Sequence, residues 1–255
     1  MRAVRSLWWR EIVRFVRQPS RVIGALGQPI VFWLLLGGGL APSFRPPGVS
    51  GNSGYLEYLY PGIVALVLLF TAIFATIATV EDRRAGFLQG VLVAPVGRSS
   101  IVLGQALGGT TLAVLQGLFL LPLAPVAGVA LTAAGVVAVT ATMALVAFGL
   151  VSLGLVIAWS MESTQGFHAI MNLILMPIWI LSGAFFPATG APGWLGWIMR
   201  LNPLTYGMAA LRRALYLAAP AAVGKLPPFA SSFAVTLLFC ALAFGGATAV
   251  ARRSA

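Results

Sequence analysis

Charge is what this sequence has least of. Asp, Glu, Lys and Arg make up 8% of its 255 residues and apolar residues 60%, where an ordinary soluble domain carries about 25% charged residues. The chain reads as an integral membrane protein. Cysteine is present only as Cys240, inside the last apolar run, so neither an intramolecular disulfide nor a cysteine metal cluster can form. Lysine is present only as Lys225, followed by Leu226 and with Ala219 where a P-loop needs its first glycine; a phosphate-binding loop of that type is excluded. Histidine is present only as His168, and no His, Asp or Glu residues fall at metal-ligand spacing. No metal ligand and no catalytic residue is therefore assigned.

Charge is also missing from the middle of every apolar run. Glu57, Glu81, Asp82 and Glu162 stand near run ends, and Glu11 lies in the N-terminal segment. A charge at the bilayer centre costs about 2.5 to 3.5 kcal/mol on insertion scales, so it is kept there only for a purpose such as proton transfer. His168, close to the end of the fifth run, reads as a boundary or packing residue. Ser182 lacks a nucleophile-elbow pattern. Two alternative functions are disfavoured by these gaps: an intramembrane enzyme, which needs paired ionisable groups, and a secondary carrier or channel, which needs charge along its path.

What is present is six apolar runs, at about 22–40, 60–80, 101–121, 129–159, 167–186 and 230–250. Each is long enough to cross a hydrocarbon core, which takes about 20 helical residues. The expected fold is all-α, one transmembrane domain over residues 1–255. Pro177 is expected to kink or break the fifth span. With the N-terminus in the cytoplasm, eleven basic residues lie inside and five outside, the latter being Arg45, Arg200, Arg212, Arg213 and Lys225. That distribution obeys the positive-inside rule and places both termini in the cytoplasm of a multi-pass protein of the cell membrane. The inner arginines are too scattered to make a nucleic-acid surface, and they suit anionic membrane lipid instead.

Residues 1–18 form an amphipathic segment before the first span. Trp8, Ile12, Phe15 and Val16 share one side of a helix, and Arg10, Arg14 and Arg17 another. Such a helix lies in the membrane interface, and Gln18-Pro19-Ser20 favours a break after it over continuity with span one. Gly104 and Gly108 make a small-xxx-small pattern that lets two helices approach closely, without naming the partner. Asn172 and Gln116 are neutral polar groups inside spans, suited either to interhelical hydrogen bonding or to lining a path. Residues 187–229 hold Pro187, Pro192, Trp194, Trp197 and Pro203 in apolar pieces too short to span. They are expected to form short outer re-entrant helices, with breaks near Gly190-Ala191-Pro192 and Asn202-Pro203.

The segment Glu81 to Ser100 is a polar island between two apolar runs, holding two of the five acids and three arginines. Its second half is apolar. A short helix from about Arg84 to Val93 would present Phe87, Leu88, Val91 and Leu92 to a soluble partner. With no ATP site and no mobile charge elsewhere, this island is the expected point where energy enters.

These residues resemble the membrane, or permease, subunit of type 2 ATP-binding-cassette exporters. The likeness is carried by the amphipathic N-terminal helix, by Glu81-Asp82-Arg83-Arg84-Ala85-Gly86 with Leu92-Val93-Ala94-Pro95-Val96, and by Leu181-Ser182-Gly183-Ala184-Phe185-Phe186-Pro187 with Asn202-Pro203-Leu204-Thr205-Tyr206 and Leu211-Arg212. The resemblance implies a coupling helix within 82–98, a homodimer or a pairing with a related permease, and two copies of a separate ATPase subunit that holds the ATP and Mg. It also implies ATPase contacts from Arg83, Arg84, Phe87, Leu88, Leu92, Pro95 and Arg98. A cargo path at the dimer interface would involve Asn172 and Pro177. The cargo class it implies is hydrophobic or amphipathic: a drug, a lipid or a lipid-linked glycan. Phe87-Leu88-Gln89-Gly90 departs from the family pattern in being neutral.

Overall fold

A computed structural model describes residues 2–40, 54–93, 96–188 and 191–253. Ten α-helices account for most of them: α1 Arg2–Val16, α2 Pro19–Leu40, α3 Tyr55–Arg84, α4 Phe87–Val93, α5 Arg98–Leu120, α6 Ala133–Ser160, α7 Thr164–Trp179, α8 Gly193–Leu201, α9 Pro203–Leu215 and α10 Phe229–Arg253. Among the described residues there is no strand. Six helical segments among the described residues are long and apolar enough to cross a membrane: α2, α3, α5, α6, α7 with its continuation to Ala184, and α10. The loop expected between the first two spans, with Arg45, lies outside the described residues.

The helix boundaries follow local chemistry. Thr132 caps α6, its hydroxyl accepting from the Gly135 N–H at 3.0 Å, and Ser163 does the same for α7 through Gly166. α3 ends at Gly86, whose φ of +74° turns the chain into α4 at no steric cost. Pro177 does not break its span. α7 runs through it to Trp179, the helix widens over Ile180–Ala184, and the break comes at Gly183, with φ +82°. A proline removes one N–H from the ladder, whereas a left-handed residue reverses the chain direction locally, so the glycine decides where the span stops.

α3 is the axis of the molecule. It is apolar on every side, as a helix must be when neighbours surround it, and 94% of its most apolar stretch is buried, against 22% for α2, 33% for α7 and 28% for α10. α2 and α7 pack on α3, while α5, α6 and α10 build the remaining bundle with α9 against α6 and α10. Within it, the Thr71 hydroxyl of α3 donates to Gln116 Oε1 of α5 at 3.0 Å, a polar tie between two spans. His168 stacks edge-on against Phe74 and Phe167. One end of the bundle carries α1, α4 and the arginines Arg10, Arg14, Arg21, Arg83 and Arg84; the opposite end carries α8 and α9, with Arg200, Arg212 and Arg213.

Candidate functional site

The arginine-rich end is organised by two adjacent acids at the end of α3. Asp82 is 4% exposed, and a buried carboxylate must be paired. Arg10 grips it with both guanidinium nitrogens, at 2.5 and 2.8 Å, and Arg14 adds a third contact at 2.6 Å. Arg14 also donates to Glu81 at 2.5 Å, and Arg21 of α2 donates to the other Glu81 oxygen at 2.5 Å. Three arginines from two helices thus converge on two acids of a third. The hydrogen bonds that Arg10 donates to Asp82 hold its guanidinium above its ordinary pKa, and charge-assisted bonds of this length are about twice as strong as neutral ones.

The third acid is Glu11, 5% exposed. Burial, with Asp82 beside it, pushes its carboxyl up to about 7 against the partly offsetting arginines. With Arg10, Arg14 and Arg21 set against Glu11, Glu81 and Asp82 the cluster is charge-balanced only while Glu11 is ionised.

The N-terminal helix is therefore seated on protein along one side. Its buried residues are Leu7, Glu11 and Phe15, an i, i+4, i+8 stripe, while Trp9 and Val16 are exposed. The expected apolar side of Trp8, Ile12, Phe15 and Val16 is rotated in the fold, because the seat is shaped by the two glycines of α5. A Cβ on Gly104 would lie 2.9 Å from Leu7 Cβ, and one on Gly108 would lie 2.7 Å from Glu11 Cβ. Trp8 adds a hydrogen bond from Nε1 to Thr111 Oγ1 at 3.0 Å. Ile12 is half-buried and Arg17 exposed; Arg10 and Arg14 face the acids of α3.

The segment after α3 divides into an inner and an outer flank. Arg83 turns inward and donates to the carbonyls of Trp159 and Met161 at 2.6 and 3.2 Å, satisfying the C-terminal end of α6 as a basic side chain does there. Leu88 is 1% exposed and belongs to the hydrophobic core, and Val91 packs against that core. The expectation that Leu88 and Val91 face a soluble partner is corrected: a seven-residue helix with one apolar side buries that side on its own bundle. The outer flank consists of Arg84, Ala85, Phe87 and Gly90, with the Arg10 guanidinium 3.8 Å from the Phe87 ring centre, a cation–π contact that ties α1 to α4. Arg98 is half-buried in the first turn of α5. Pro95 and the Leu92 side chain lie outside what the structure describes.

At the opposite end the Leu181-to-Pro187 and Asn202-to-Arg212 segments brace each other. The Ser182 hydroxyl donates to the Trp179 carbonyl at 2.6 Å. Asn202 caps α9 through Leu204 N–H at 3.0 Å and donates to the Ile178 carbonyl at 2.6 Å, with Pro203 in the first turn. Thr205 reaches the Leu181 carbonyl at 3.4 Å, and the Tyr206 hydroxyl reaches the Arg200 carbonyl at 3.0 Å. The Gly183 carbonyl accepts from Tyr58 at 2.8 Å and from Arg212 at 3.0 Å. Pro187 stands at the edge of the cavity beside this joint. Asn172 and Pro177 are both exposed on α7, and Pro177 directly precedes Ile178, whose carbonyl accepts from Asn202.

Sequence reasoning missed Glu11, Arg21 and the partner of Gly104 and Gly108. The signal for Arg21 was present: only five acids occur in the chain, so an adjacent Glu81-Asp82 pair at a membrane boundary has to draw compensating arginines from somewhere.

A family profile described as ABC-2 type transporter matches residues 2–216. The chain is 29% identical over 208 residues to the putative transport permease ycf38 of Cyanophora paradoxa, covering 80% of this chain and 70% of that one. It is 27% identical over 226 residues to nodulation protein J of Rhizobium meliloti, covering 81% and 79%. To ABC transporter G family member 20 of Dictyostelium discoideum it is 33% identical over 171 residues, 65% of this chain but 23% of that protein.

Proposed function

The chain belongs to the ABC-2 type transporter family, and from that premise we propose that it is the permease subunit of an ATP-driven exporter, moving a hydrophobic or amphipathic cargo out of the cytoplasm or inner leaflet. It is a multi-pass transport permease of that family, and in the proposal the hydrolysis of ATP belongs to a partner subunit. Permeases of this family normally work with an ATPase partner. In the proposal, two copies of such a subunit bind and hydrolyse ATP with Mg, dock on the arginine-rich end from the cytoplasm, and drive a dimer of permeases in the cell membrane. Both termini are cytoplasmic in this reading, which the excess of arginine at the α1 end supports.

The observation that carries the coupling role is the outer flank of α4. Leu88 fixes the helix to the core, α1 is locked to α3 by the arginine–acid cluster, and Phe87 is held beneath Arg10. A partner that pushes on Arg84, Phe87 and Gly90 therefore acts on α1, α3 and the bundle together. The dimer reading has a second support. Gln28 on α2 and Asn172 on α7 are exposed among apolar neighbours, and an amide facing hydrocarbon is costly unless another helix or a water-lined path receives it.

Leu88 cannot test this reading, since an acid there would unfold the segment. Gly90 can, because its Cβ position meets nothing within 4 Å. In Gly90→Trp and Arg84→Glu, the tagged permease is expected to keep its thermal stability and to lose most of the ATPase subunit that copurifies with the unaltered chain, together with transport. Full copurification and transport in both variants, or no ATPase subunit with the unaltered chain, would overturn it.

A further inference from the structure

A cavity of about 510 Å³ opens at the end of the bundle opposite α1, between the Gly183 joint, α8, α9 and residues 223–227. Three basic side chains line it, Arg200, Arg212 and Lys225, and no acid does. Arg212 is 7% exposed. Its one side-chain hydrogen bond among the described residues goes to the Gly183 carbonyl, its guanidinium lies 4.1 Å from the centre of the Tyr58 ring, and no described acid pairs with it. A guanidinium has five donors, and a buried cation without a counter-ion is costly. Among the described residues, the other buried charges have partners, Asp82 within 3 Å and Glu11 in Arg10 at 3.5 Å; this one faces an open cavity instead.

The remaining wall is apolar, with Met199, Met208 and Leu226. Arg213 fixes the outer strip of that wall, donating to the Pro227 carbonyl and to Ser232 Oγ. Next to the cavity, α8 exposes Trp194 and Trp197, side chains that settle where a bilayer's headgroups begin. The opening thus stands at headgroup depth, with cations beside an apolar lining.

We propose that this cavity is a binding site for an anionic amphiphile, whose phosphate-type headgroup pairs with Arg212, Lys225 and Arg200 and whose apolar part lies along Met199, Met208 and Leu226. The site is independent of the transport reading: it is a property of the permease alone, so loss of ATPase docking would leave it unchanged. Its ligand need not be the cargo.

The test is equilibrium binding of a fluorescent-tailed phosphatidylglycerol to the purified full chain in detergent. Saturable binding is expected, competed by unlabelled phosphatidylglycerol and at least tenfold less effectively by phosphatidylcholine, and not by millimolar inorganic phosphate. Arg212→Gln should weaken it more than tenfold. Because that residue also braces the joint, Arg200→Ala with Lys225→Ala, both exposed, provides a variant that folds normally and should bind about three- to tenfold more weakly. Equal competition by phosphatidylcholine, equal competition by inorganic phosphate, absence of saturable binding, or unchanged affinity in the double variant would each overturn the proposal.

Discussion

Asp82→Asn is the sharpest test of how α1 is held. The carboxylate accepts three bonds from two guanidiniums, at 2.5, 2.8 and 2.6 Å. Breaking a buried ion pair by removing one partner costs about 3 to 5 kcal/mol. The arginine side chains are 31% and 22% exposed and regain water when released, which lowers the figure to about 2 to 3 kcal/mol. That corresponds to a roughly 30- to 150-fold rise in the population with α1 undocked. Amide hydrogen exchange in the purified chain reads it directly, since local opening governs exchange in a helix held mainly by one surface. Peptides from α1 should exchange faster by about that factor while α6 and α10 are unchanged. Arg14→Gln should be strongly non-additive with it, because both remove the same bond. A change in α1 below about threefold, or an equal change in α6, would refute the idea that the cluster is what seats α1.

Three further outcomes follow from the same geometry. Glu11 has its carboxyl raised from 4.5 to about 7, so the docked state holds an extra proton between those values; the contribution of Glu11 to docking of α1 is lost as pH rises through that window, weakening docking by up to about tenfold per unit, whereas Glu11→Gln should show a flat profile across it in exchange rates corrected for intrinsic pH dependence. Gly108→Leu puts side-chain atoms where Glu11 Cβ already leaves 2.7 Å; overpacking of about 1 to 3 kcal/mol should release α1 in the same exchange assay, and Gly90→Leu, in open space, should not. Asn202→Ala removes the α9 cap and the bond to Ile178; a loss of about 1 to 2 kcal/mol should appear as faster exchange in α9 and a lower melting temperature.

The six spanning segments were legible in sequence because hydrocarbon leaves the backbone no alternative to helix, so length and apolarity suffice. The side each helix turns inward was not. In water, an apolar stripe points to the core; in a membrane, it points equally well to lipid. Trp8, Ile12, Phe15 and Val16 form a sound stripe, yet Leu7 and Phe15 are the buried apolar residues, since contact with α5 is set by where Gly104 and Gly108 permit approach. Leu88 was misread for the same reason, and the inward bonds of Arg83 were not foreseen because their acceptors, the carbonyls of Trp159 and Met161, have no side-chain signature. The joint near Gly183 was legible as a pattern of residues, but its logic was not: Asn202, Arg212 and Tyr58 all bond to backbone oxygens, which every residue possesses.

Both ends of the molecule meet on α3, and a single methyl group tests whether it acts as one rod. Glu81 and Asp82 anchor one end. At the other, Tyr55, Tyr58 and Tyr60 donate to the carbonyls of Phe185, Gly183 and Leu120. Gly62 sits against the widened turn, where a Cβ would lie 2.6 Å from the Ala184 carbonyl oxygen while the Gly62 carbonyl accepts from Trp179 at 2.8 Å. Gly62→Ala must therefore push α3 and residues 180–184 apart, at about 1 to 3 kcal/mol. A helix buried on all sides has no solvent into which to bend, and close packing turns a local push into a shift of the whole element. Exchange should then rise at residues 180–186 and also in α1, whose arginines would have to follow Glu81 and Asp82. A rise confined to 180–186, with α1 unchanged, would show that α3 flexes between its ends and that the arginine cluster and the Gly183 joint are mechanically separate.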